Sequence, residues 1–126
     1  MRVLLDTQAL LWLLDDSPRL GALSRSVILT ASGVAVADAS LWETAIKVSS
    51  GKLETAPGFA AAVREMGFDR PPMRDEYFET LAALPLHHRD PFDRMLIAHA
   101  LTDDLAVVTA DPIFAKYGVR VVDATA

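Results

Sequence analysis

The sequence predicts an α/β fold with a central parallel sheet, and three observations predict it. Four short apolar runs, RVLLD (2–6), GVAVA (33–37), LAVVTA (105–110) and VRVVDA (119–124), have the length and β-branched content of buried strands. Segments with helical apolar spacing separate them. No hairpin signal joins any two, so consecutive strands must cross over through helices, and a parallel sheet with helices on both faces follows. The 126 residues contain no linker and no repeat, so residues 1–126 are expected to form one domain.

Taken in order, RVLLD ends in Asp6 and opens the fold. TQALLWLLDD (7–16) is a helix with Ala9, Leu10, Leu13 and Leu14 on its inner side. Ser17-Pro18 supplies a cap and a first-turn proline for the next helical stretch, which runs to about Ala31 with a break at Gly21. GVAVA is the second strand. SLWETAIKVSSG (40–51) is a helix closed by Gly51, and PGFAAAVREMG (57–67) is another between Pro57 and Gly67. FDRPPM (68–73) carries two prolines, which makes it an edge strand or an extended connection. RDEYFETLAALP (74–85) is a helix stopped by Pro85. HRDPFDRMLIAHA (88–100) supplies the next, with Met95, Leu96 and Ala98 turned inward and its end near TDD. LAVVTA is a strand, DPIFAKYG (111–118) a short helix and VRVVDA the last strand.

Composition narrows the class. Hydrophobic residues make up 52% of the chain and mean hydropathy is +0.26, enough for a core and for apolar surface that a partner or a second copy would cover. No run of about 18 apolar residues exists, and Met1-Arg2 leads into a strand rather than a signal sequence, so no membrane association is expected. Absence of cysteine excludes disulfides and thiolate metal sites, and a cytoplasmic protein is expected. The net charge of −5 argues against a broad basic nucleic-acid-binding face. A nucleic-acid enzyme stays compatible with it, because carboxylates gathered around divalent cations count as negative.

Four acids occupy one kind of position. Asp6 closes the first strand, Glu43 lies in the first turn of the helix after the second, Asp93 lies in the first turn of the helix opening at DPFD, and Asp111 follows LAVVT. In a parallel sheet such positions share one edge, where ligands bind. Local explanations exist for most of them. Ser40 to Glu43 spells a capping box, Asp90 and Asp111 precede prolines as N-caps do, and a helix dipole favours Asp93 by roughly 0.3–1 kcal/mol. Asp6 has no such account: a carboxylate ending a buried strand costs several kcal/mol unless it is paired, and no neighbouring lysine or arginine pairs with it. Capping explains each acid without explaining the set. If they converge, mutual repulsion raises their pKa values, and a divalent cation relieves it. Mg²⁺ prefers oxygen ligands, keeps several waters and acidifies one of them, with a second ion about 3.5–4 Å away to stabilise a leaving oxygen. The chemistry predicted is metal-assisted phosphodiester hydrolysis.

LLDTQALLWLL, ASLWETAIKVSSGKL, LPLHHRDPFDRMLIAHAL and TADPIFAKYGV stand in the order, and at about the spacing, of PIN-domain ribonucleases, and the chain resembles the VapC toxins of bacterial toxin–antitoxin pairs over nearly its whole length. The resemblance implies a three-layer α/β/α PIN-like fold, Mg²⁺- or Mn²⁺-dependent endoribonuclease activity on RNA, a homodimer, and inhibition by a cognate VapB-type antitoxin that inserts a segment into the acidic groove. It maps the catalytic, metal-binding acids onto Asp6, Glu43, Asp93 and Asp111, the last at the more variable fourth position. Many relatives read LLDTHALLW where this chain has Gln8, an amide that hydrogen-bonds but does not titrate near neutral pH. Gln8 is expected to tune the site without abolishing it.

Other residues have two readings each. Thr7 and Thr109 either bond the acids or a metal-bound water, or satisfy local backbone. Asp90 is read as the cap and Asp93, one turn in, as the ligand. Asp38 is read as a cap rather than a rim acid. His87, His88 and His99 are read as structural, and Asp103-Asp104, at a helix C-terminus, as a solvated turn. Trp12 and Trp42 are read as core or dimer contacts rather than base-stacking platforms. Lys47, Arg89 and Arg94 are candidates for RNA phosphates or members of a solvated face, and Lys47 can also pair with Glu43. A phospho-receiver or haloacid-dehalogenase-type phosphatase would need acids or a lysine that LLDTQ and TADP lack. A catalytically silent PIN module acting through protein contacts is the remaining rival, and retention of all four acids speaks against it.

Overall fold

The computed structural model describes residues 1–126. The chain runs β1 (Arg2–Leu5), α1 (Thr7–Leu14), α2 (Ala22–Thr30), β2 (Gly33–Ala35), α3 (Asp38–Ser49), α4 (Phe59–Glu65), α5 (Asp75–Ala83), α6 (Pro91–Asp103), β3 (Ala106–Thr109), a 3₁₀ helix (Pro112–Tyr117) and β4 (Val121–Asp123). All pairings are parallel and the strand order is β2-β1-β3-β4. Asp69 bridges to Ala35 beyond β2, so FDRPPM lies at the sheet edge, where its prolines break no interior ladder.

Side-chain alternation in the strands builds three layers. Val3, Leu5, Val34, Ala106 and Val108 face α1, α2 and α4, packing with Leu10, Ile28 and Val63. Leu4, Ala35 and Val107 face the other way onto α3, α5 and α6, with Ala39, Tyr77 and Leu96. Both sheet faces are therefore dry, which is why the strands read as continuous apolar runs. The chain winds from β1 to one side and then returns to the other, so β1 and β3 are neighbours and their C-terminal ends flank the crevice at the switch point.

Several local expectations are corrected. The second helix starts at Ala22 with Gly21 as its N-cap, while Ser17 only bonds the Arg19 amide in a turn. Gly21 is fixed there by packing: its amide donates to the Ala124 carbonyl, and a Cβ would stand 1.9 Å from the Ala126 carbonyl oxygen. On α1 the buried face is Thr7, Ala9, Leu10 and Leu11, with Leu13 and Leu14 half-buried. The third helix starts at Asp38 rather than Ser40, and DPIFAKYG folds as a 3₁₀ helix. Trp42 is 65% exposed, so only Trp12 is partly in the core. Asp103 is not solvated: α5 packs on the end of α6 and brings Tyr77 and Arg74 onto its carboxylate. Asp38 makes no capping bond and pairs with Arg70.

His99 is fully buried on α6, stacked on Tyr77 with ring centroids 3.8 Å apart, and neither ring nitrogen has a hydrogen-bond partner. Burial pushes its pKa down to about 4. The unfolded imidazole, near 6.5, takes up its proton first, so stability is full above pH 6.5 and is lost as pH falls toward 4. Wild type should therefore lose on the order of 3 kcal/mol relative to His99→Leu between pH 7 and pH 4. Urea titrations of both proteins check this, and a stability difference flat in pH would contradict it.

Candidate functional site

An open cavity of about 540 Å³ lies over the C-terminal ends of β1 and β3, lined by Asp6, Thr7, Gln8, Glu43, Lys47, Asp90, Asp93 and Asp111, with Leu11, Trp12 and Pro112 among its apolar walls. The four acids far apart in sequence do meet in one pocket. Asp6 and Glu43 are buried, Asp93 is half-buried and Asp111 stands exposed at the rim.

Each acid is held by a different local device. Asp6 ends β1 and caps α1, its Oδ1 accepting from the Ala9 amide at 2.7 Å. Asp111 does the same for the 3₁₀ helix, accepting from the Ile113 amide at 2.9 Å. Its own amide donates to Thr109 Oγ1 at 3.0 Å. Asp90 caps α6 through the Phe92 and Asp93 amides, at 2.9 and 3.0 Å. Asp93 makes no capping bond, so its carboxylate is free to face the cavity; its polar neighbour is His88 Nε2, 3.4 Å from Oδ2.

The capping box at Ser40 does not form. Because α3 begins two residues early, the Ser40 amide already bonds the Ala37 carbonyl. Glu43 therefore sits in the second turn rather than the first, with its side chain on the pocket face. Its Oε1 accepts from the Thr7 hydroxyl at 2.7 Å and its Oε2 pairs with Lys47 Nζ at 2.9 Å. Ser40 Oγ lies 3.1 Å from Thr7 Oγ1, a supporting contact with no separate signature in the sequence.

Crowding appears in the proton affinities. Asp93 is pushed up to about 7, first by burial and then by Asp90, Glu43, Asp6 and Asp111. Asp6 is also raised, chiefly by burial, with the Thr109 hydroxyl and the Ala9 amide acting the other way. Lys47 is raised by its hydrogen bond to Glu43. The donor set is all oxygen and carries uncompensated negative charge, which suits a hard divalent cation. As the side chains stand, no three of these groups can hold one ion directly. Such an ion would keep part of its water shell, as the width of the cavity permits.

The remaining candidates lie apart. Arg89 is exposed outside the cavity lining. Arg94 is turned inward, donating to the Pro85 carbonyl at 2.8 Å and to the Tyr117 hydroxyl at 3.1 Å. Lys52, unremarked in the sequence, borders an adjoining groove with Lys47 and Glu43. His87 packs edge-on against Tyr117.

Comparison with known proteins agrees with this architecture. The family profile of the PIN domain matches residues 3–120. A chain of VapBC2 from Rickettsia felis, in a complex bound to a DNA fragment from its promoter, superposes with a TM-score of 0.73 at 11% identity, covering 97% of this chain and 98% of that one. DNA-bound VapBC from Salmonella typhimurium gives 0.71 at 19% identity, covering 98% of each chain. No curated protein matches.

The raised pKa of Asp93 has a consequence for stability. With a folded value about 7 against 3.8 unfolded, protonation favours the folded protein; that contribution is present at low pH and is lost as pH rises through 7. In chelator, Asp93→Asn should be more stable than wild type at pH 8 by on the order of 2 kcal/mol, the gap shrinking toward pH 5. Denaturant melts at the two pH values check it; an equal gap at both would contradict the crowding.

Proposed function

The chain belongs to the PIN-domain family, and from that premise we propose that it is a divalent-metal-dependent endoribonuclease acting as the toxin of a toxin–antitoxin pair. The observation that carries the proposal is the meeting of Asp6, Glu43, Asp93 and Asp111 around one cavity, where burial and then its acidic neighbours push Asp93 up to about 7. A Mg²⁺ or Mn²⁺ ion bound there supplies charge neutralisation of a phosphate oxygen and acidification of a coordinated water.

What the chain itself contributes is orientation. Backbone caps fix one oxygen each of Asp6 and Asp111, leaving the second oxygen for a ligand. Thr7 and Lys47 hold Glu43 from two sides, which keeps its carboxylate pointed into the pocket. Thr109 links the ends of β1 and β3. Gln8 is exposed at the mouth, placed to hydrogen-bond a nucleotide without titrating. Lys47 and Lys52, which border one groove, form the cationic flank proposed to hold RNA phosphates, with exposed Arg89 as a separate candidate; Arg94 acts within the protein instead.

The proposed antitoxin is VapB-type, since the structural neighbours are chains of VapBC complexes. Beside the acidic cavity an apolar groove of about 430 Å³ is lined by Trp42, Met73, Phe78, Leu81, Phe92 and Met95, and we assign it to an apolar stretch of that antitoxin. Homodimerisation is proposed alongside, through the apolar surface left exposed at Leu23 and Leu29 on α2. No helix is long and apolar enough to cross a membrane.

Purified protein should cleave RNA only with Mg²⁺ or Mn²⁺. Asp6→Asn and Asp93→Asn should lower the rate by at least about 100-fold while staying folded. Millimolar Mn²⁺ should raise the melting temperature of wild type more than of either variant. Ordinary cleavage by folded Asp6→Asn would sink the site assignment. Wild type that binds an antitoxin but cuts no RNA with metal present would favour the silent-module reading.

A further inference from the structure

We infer that His88, locked by Tyr117 into one neutral tautomer, is a positioning residue that holds the Asp93 carboxylate through an Nε2–H donor. The inference rests on the reading of Asp93 as a metal ligand and adds to it two residues outside the acidic set.

The hydrogen-bond capacity of one hydroxyl carries it. Tyr117 Oη is met by four groups: the His88 amide at 3.1 Å, Arg94 Nη1 at 3.1 Å, His88 Nδ1 at 2.7 Å and the His88 carbonyl oxygen at 3.4 Å. The amide and the guanidinium can only donate, and together they fill the two lone pairs of the phenol. Its own proton is left to give, and Nδ1 is much the nearer acceptor. Nδ1 must then carry a lone pair, so the proton of the neutral imidazole sits on Nε2. A third donor on Nδ1 would find the phenol oxygen already saturated.

Nε2 faces Asp93 Oδ2 at 3.4 Å. Tyr117 is itself immobilised. It is only 8% exposed within the core built on the α6 side, and Arg94, which bonds it, is tethered to the Pro85 and Leu84 carbonyls at 2.8 and 3.4 Å. The chain of contacts thus runs from the loop before α6, through the 3₁₀ helix, to a carboxylate that has no capping bond of its own. Asp6, Asp111 and Asp90 are each oriented by backbone amides. For Asp93 the imidazole takes that part, as outer partners of metal-ligating carboxylates do.

Two measurements test this. In the wild-type protein at pH 8, ¹⁵N NMR of the His88 ring should report protonation at Nε2; protonation at Nδ1 would overturn the inference, and this arm needs no variant. Mn²⁺ titration without RNA should show about tenfold weaker binding for Tyr117→Phe and His88→Ala, with His88→Gln recovering most of it. RNA cleavage by these variants at saturating metal should fall in kcat with KM little changed. Folded His88→Ala and Tyr117→Phe with wild-type Mn²⁺ affinity would overturn positioning while leaving Asp93 as ligand. Wild-type Mn²⁺ affinity in Asp93→Asn would instead overturn the ligand reading beneath it.

Discussion

Negative charge held out of water at the C-terminal edge of the sheet is the constraint on which the rest of this molecule turns. Parallel pairing of β1 with β3 leaves Asp6 and Asp111 no choice but to emerge side by side, and α3 and α6 bring Glu43 and Asp93 over them. Only Glu43 has a cation in contact, Lys47. The others share a cavity with it, and there Asp93 is pushed up to about 7 by burial and by the charges of Asp90, Glu43, Asp6 and Asp111. A fold under no other demand would scatter these charges over solvated surface, where repulsion between them is screened. Two dry sheet faces, with Leu4, Leu5, Val107 and Val108 fully buried, supply the stabilisation that lets the crowding persist.

Capping and the presentation of a carboxylate oxygen to the cavity are one device here rather than alternatives. A carboxylate that accepts from a helix N-terminal amide uses one oxygen and is fixed in direction by the backbone, which sets where its second oxygen points. Asp6 and Asp111 both use this arrangement, each at the junction of a strand and a following helix. The amides also favour the ionised form, partly offsetting burial at Asp6. Asp93 and Glu43 lie inside helices where the amides are already bonded, and they depend on side chains instead: Thr7 and Lys47 for one, His88 for the other.

The fold and the gathering of the acids were legible in the sequence because both follow from short-range rules. Apolar runs without hairpin signals dictate a parallel sheet, and strand-end acids of a parallel sheet share an edge. What could not be read depends on where one residue of a helix begins, or on contacts between distant segments. Ser40-Leu41-Trp42-Glu43 spells a capping box, yet Ala37 starts α3 earlier and turns Glu43 inward. Gly21 displaces Ser17 as a helix start only because the C-terminal residues pack against it. Asp103 looked solvated until α5 brought Tyr77 to it, and His88 reaches Tyr117 across 29 positions of sequence through the packing of the 3₁₀ helix on α6. No periodicity encodes either contact.

Substrate charge closes the circle. RNA is a polyanion, the chain carries a net charge of −5, and the cavity concentrates acids where a phosphate would have to sit. Lys47 is the one cation lining that cavity, and Glu43 already engages it. Without a bound divalent ion the pocket repels the group it would cut, so on the proposed reading the metal governs access as well as chemistry. On the same reading the proton that Asp93 holds below about pH 7 would neutralise part of the site but remove a ligand, and it would not replace the cation. Metal occupancy, deprotonation of Asp93 and phosphate binding would thereby be linked in the proposed enzyme, each favouring the next. On that reading such a pocket would admit RNA only once the ion is bound, and that behaviour would need no moving part.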